Sequence, residues 1–95
     1  MKKLVVLTEH ARFRMHLRRI SRKAIEEELA HPIVEATDTL TDYSIVVGKG
    51  PYGRANRLLV VIYEETAQQI EIVSVHPIRV SQYLMQLQRG RWKLR

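Results

Sequence analysis

The sequence predicts one small α+β domain, and three observations carry that reading. Apolar residues follow a helical period near both ends of the chain and an alternating one through its middle. The 95 residues can build one core but not two. Hydrophobic residues make up 45% and charged residues 27%, which is globular usage, and with no cysteine the fold has neither disulfides nor thiolate metal sites to lean on. A cysteine-free chain suits a reducing compartment, so the expected location is the cytoplasm. The apolar run after Met1-Lys2-Lys3 stops at Thr8-Glu9-His10, too soon for a secretory core, and no stretch reaches the length of a bilayer span. No membrane partner is expected.

Leu4 to Leu7 is too short for a helix and rich in β-branched residues, hence a strand at a sheet edge. Thr8 is placed to cap a helix, with Glu9 in its first turn where the dipole favours an anion. On that helix Phe13, Leu17 and Ile20 form an apolar stripe, and His10, Arg14 and Arg18 a second stripe beside it. Ser21 caps another helix that buries Ala24, Ile25 and Leu29 while Glu26, Glu27 and Glu28 mostly face water; His31-Pro32 ends it. Ile33–Thr37 is a weak strand and Tyr43–Val47 a stronger one. Gly48-Lys49-Gly50-Pro51-Tyr52-Gly53 reads as a hairpin loop. Arg57–Glu65 alternates apolar residues on both faces, the mark of a central strand, and Gln69–His76 is a further strand. Val80, Tyr83, Leu84 and Leu87 give a final helix. The domain is expected over residues 1–88, with 89–95 as a basic C-terminal tail around Trp92.

Sixteen Lys and Arg against ten Asp and Glu leave a net charge of +6, a bias toward polyanions. Gly48, Gly50 and Gly53 satisfy G-x-G-x-x-G, but a dinucleotide fingerprint runs from a strand into a helix and this loop joins two strands, so no nucleotide cofactor is expected. His10 and His16 are six apart and neither has the histidine or carboxylate partner at i+4 that a zinc-binding helix uses, so no metal is expected either. An imidazole beside guanidiniums is chemically suited to passing a proton near neutral pH, which singles out the stripe of His10, Arg14 and Arg18.

The segment His10-Ala11-x-x-Arg14-Met15-x-x-Arg18-x-Ile20-Ser21, followed by Val46-Val47-Gly48-Lys49 and Gly53-Arg54, resembles a small bacterial domain of unknown function grouped with the RelE and BrnT-like toxins. Arg19 stands where that family usually has glycine. The resemblance implies an α+β fold with the helices on one face of a curved, mostly antiparallel sheet of about four strands. It also implies kinship with ribosome-dependent or free ribonucleases, RNA as partner, and an antitoxin as a second partner. Toxins of this kind cleave RNA by proton transfer and phosphorane stabilisation, which needs no metal in principle. The matching positions are His10, Arg14, Arg18, Lys49 and Arg54; side-chain chemistry adds Arg57, Tyr63 and His76. His10 or His76 is cast as proton shuttle, Arg14, Arg54 and Arg57 as phosphate stabilisers and Tyr63 as an acid, with Arg18, Lys49, Arg54 and Arg57 holding the nucleic acid. The alternative is a module that binds nucleic acid or protein without catalysis.

Overall fold

In a computed structural model, which describes residues 3–52 and 54–95, the chain runs β1 (Leu4–Leu7), α1 (Glu9–Arg18), α2 (Arg22–Ala30), β2 (Val34–Asp38), β3 (Ser44–Tyr52), β4 (Ala55–Glu65), β5 (Gln69–Pro77), α3 (Val80–Gln88) and β6 (Trp92–Leu94). Both early caps form as the residue types dictate. The Thr8 hydroxyl accepts from the Ala11 N–H at 3.0 Å, and that of Ser21 from the Ala24 N–H at 3.1 Å. Between the two helices Arg19 takes the left-handed conformation (φ 52°), and the N–H groups of Arg19 and Ile20 return to the carbonyls of His16 and Met15. The turn accepts an arginine where glycine would be unstrained.

The sheet corrects the expectation of about four strands and, with it, the RelE/BrnT-like arrangement. Among the described residues six strands lie in the order β1-β5-β4-β3-β2-β6, a mixed sheet, because β1 runs parallel to β5. The two ends of the chain supply the two outer strands. At the C-terminal end, Trp92 is 6% exposed and packs under α3, while the Arg91 guanidinium donates from Nε to both carboxylate oxygens of Asp38 at 3.0 and 3.1 Å. The expected tail is therefore stitched onto β2, since an indole of this size gains more by burial than a loose segment would retain in freedom.

The helices also divide between the two faces. Leu59, Val61 and Tyr63 of β4 point into a core with Ala11, Met15 and Ile25 from α1 and α2. Val60 points the other way, among Ile45, Val47 and Trp92, with Tyr83 and Leu87 of α3 packed against it. The central position expected for β4 is the one it occupies, with apolar residues on both faces. Two local expectations change. β3 continues straight through Gly48 and Gly50 to Tyr52, whose partner is Ala55, so the glycines lie in a ladder rather than a loop; Gly53 lies outside the described residues. On α1 the buried residues are Ala11 and Met15, while Phe13 and Leu17 stand 60% and 61% exposed. The Thr8 hydroxyl explains the rotation, for it also donates to the Ile72 carbonyl at 3.0 Å and ties the start of α1 to β5.

Candidate functional site

α1 crosses the sheet beside the half of β5 that β1 leaves unpaired. The parallel ladder stops at Leu7 and Ile72, and beyond it the Val75 carbonyl accepts a 2.9 Å hydrogen bond from Nη1 of Arg18. Arg14, one turn earlier on the same flank of α1, is half-buried like Arg18. Val75 points into the core under α1, so the alternation of the strand sends the next side chain, His76, to the opposite face. His76 is half-buried next to Val60, its partner in register. Burial first, then the positive charges of Arg18 and Arg14, hold its imidazole below the ordinary histidine range. The charges of two guanidiniums on a helix thus reach an imidazole on the neighbouring strand, which points to the other face of the sheet. Near neutral pH this imidazole is uncharged, with a lone pair free to take a proton.

The other sequence-derived residues are placed as follows. His10 is exposed in the first turn of α1, one turn before Arg14. Lys49, Arg54 and Arg57 are all exposed around the β3–β4 hairpin, and the Arg57 guanidinium lies over the Tyr52 ring, 5.4 Å from its centre. Strand alternation sends Lys49 to the α3 face and Arg57 to the α1/α2 face, so the hairpin cations do not form one cluster. They share an end of the sheet with His76, since Arg57 stands two residues from Leu59, the partner of Pro77. Tyr63 is 5% exposed and built into the core beside Met15 and Ile72, apart from the arginine–histidine edge.

One residue of unusual chemistry escaped the sequence reading. Glu28 of α2 was expected to face water, yet it is 2% exposed, and neither carboxylate oxygen has a hydrogen-bond partner. It lies on β3 where the strand has no side chains: a Cβ added at Gly48 would come within 2.9 Å of the Glu28 Cγ, and one at Gly50 within 2.9 Å of its Oε1. Burial pushes this carboxyl up to about 8. Within the run Glu26-Glu27-Glu28 nothing marks the third residue as different; only its spacing from Ala24 and Ile25, on one face of the helix, hints at it.

A family model described as a domain of unknown function, DUF4258, matches residues 7–76. The chain belongs to this family. The DUF4258 match begins at the last residue of β1 and ends at His76, so it contains the arginine–histidine edge, Glu28 and the glycines beneath it, and leaves out α3 and β6. No curated protein and no solved structure matches the chain.

Proposed function

We propose that this DUF4258 protein acts on RNA, holding a phosphodiester at the edge formed by Arg14, Arg18 and His76. The observation that carries the reading is that Arg18 bonds the carbonyl of Val75, next to His76, and that its charge and that of Arg14 reach the half-open imidazole. The net charge of +6 supports it by drawing polyanions to the surface. In this reading His76 takes the proton of a 2′-hydroxyl, whose oxygen attacks the adjacent phosphorus. Arg14 and Arg18 stabilise the crowded anion, and His10, in line on α1, returns a proton to the departing 5′-oxygen. The products are a 2′,3′-cyclic phosphate and a free 5′-hydroxyl. The α1 motif is the ground for kinship with RelE/BrnT-grouped toxins, and with it for an antitoxin partner.

A second reading, a binding module without catalysis, is favoured by the bond from Arg18 to the Val75 carbonyl, which commits part of that guanidinium to the fold. One set of measurements separates the two. Purified protein is incubated with labelled single-stranded RNA, and cleavage and affinity are followed across a salt series for wild type, His76→Ala and Arg14→Ala. Catalysis predicts cyclic-phosphate ends that vanish in His76→Ala while binding survives. Binding alone predicts no new ends in any protein, with log affinity falling on log salt by roughly 0.7 for each phosphate contact. No cleavage together with a flat salt response would remove RNA from consideration.

A further inference from the structure

The outer surface of α1 carries a feature that the phosphate site does not use. His10, Phe13, Arg14 and Leu17, spaced by three, four and seven, share one helix face. Phe13 and Leu17 on it are 60% and 61% exposed, although a phenylalanine gains from burial and the core under this helix takes Ala11 and Met15 instead. Beyond Leu17 the α1–α2 corner opens into a hollow of about 630 Å³ with Met15 and Ile20 in its wall and His16 and Arg19 at its rim. The surroundings are cationic: Arg12, Arg14, Arg18 and Arg19 stand against a single acidic residue, Glu9.

We infer that this face is a base-stacking platform, and that the substrate class is single-stranded RNA with an unpaired base laid on the Phe13 ring. The inference rests on the RNA reading above and deepens it. A phosphate held by Arg14 places the attached nucleoside beside residue 13. A base has two flat apolar faces, which the bare Phe13 ring matches, whereas a base within a duplex offers neither. Leu17 and the hollow lie one helical turn further, about 6 Å along the axis, within reach of the next base of an extended strand. Charge decides between this occupant and an apolar protein segment, because the platform is ringed by cations that a polyphosphate neutralises continuously.

The test uses the full chain with short oligoadenylate as the single strand and the same strand paired to oligouridylate as the duplex. Single strand should bind more tightly than duplex. Phe13→Ala should weaken the single strand by about 5- to 150-fold, the range for losing one base stack, with little change for duplex. Phe13→Trp should keep the affinity, and its added fluorescence should be quenched by oligoadenylate, Trp92 being buried. Phe13 is exposed, so both variants leave the core intact. If Phe13→Ala binds like wild type while Arg14→Ala is weakened, the platform is wrong and the RNA reading stands. Polyglutamate binding as tightly as oligoadenylate would reduce the face to charge attraction and overturn the platform, and binding of neither nucleic acid would overturn platform and RNA reading together.

Discussion

Glu28 and His76 are both ionisable side chains that burial drives toward their neutral forms, yet their surroundings make them opposites. Glu28 is sealed between α2 and the side-chain-free stretch of β3, with no donor on either oxygen and a carboxyl pushed up to about 8. His76 sits where β1 has stopped pairing, half-open to solvent and under the charge of two arginines. The glycines create the first environment by letting Glu28 of the helix lie directly on the strand; the short edge strand creates the second by leaving the end of β5 within reach of Arg18. Burial by itself makes a neutral group, and only access together with charge partners makes it useful to a substrate. That difference locates the candidate chemistry on β5 and leaves Glu28 as a cost carried by the fold.

The largest effect expected from breaking this contrast comes from Glu28→Met, which fills the same space without a carboxyl. In the folded chain the carboxyl keeps its proton up to about 8, against 4.5 for an ordinary one. Between those values the native state holds a proton that the unfolded chain has released. The stability linked to Glu28 is therefore complete below pH 4.5 and drains away as pH climbs toward 8. Glu28→Met should raise stability by on the order of a few kcal/mol above pH 8 and by much less near pH 5, read from urea midpoints at the two pH values. Equal midpoints for wild type and variant at both would show that the carboxyl finds a partner. Next in size is Gly48→Ala, about 1 to 3 kcal/mol destabilising. The new Cβ meets the Glu28 Cγ at 2.9 Å and Cβ at 3.2 Å, atoms that move only if α2 moves. Gly50→Ala should cost less, since it presses on Oε1, the free end of the side chain. The reverse order would put the carboxylate somewhere other than over the strand.

Much of the architecture is legible in the residues because period and caps act locally. The alternation of Leu58 to Tyr63 gives β4 and its central place, and Thr8 and Ser21 give two helix starts. What the sequence conceals is set by partners far along the chain. Which face of α1 turns inward depends on the bond from Thr8 to Ile72, 64 residues away, so the periodicity of Phe13 and Leu17 points to the wrong side. β6 depends on Asp38 receiving Arg91, 53 residues away, and a three-residue strand has no period of its own to read. The candidate site divides in the same way. The stripe of Arg14 and Arg18 is visible on the helix, but that its charge reaches His76 follows only once β1 is known to end before Val75.

The smallest effect is also the most direct probe of that influence. His76 is held below its ordinary value of 6.5, so on acidification the unfolded chain takes up the proton first. The stability linked to His76 is complete above 6.5 and is lost as pH falls through the lower folded value, the reverse of the Glu28 dependence. His76→Gln should flatten the acid limb of the stability curve and leave the alkaline limb in place. Charge removal then ranks the neighbours. Following the His76 ring protons by NMR across pH, Arg18→Gln should shift the titration upward, and Arg14→Gln should shift it upward by less, because the Arg18 charge acts more strongly. Burial remains in both variants, so neither should restore the ordinary value in full. A titration unmoved by either change would mean that helix and strand present their charges to separate patches of surface, and a phosphodiester could not then be gripped by both.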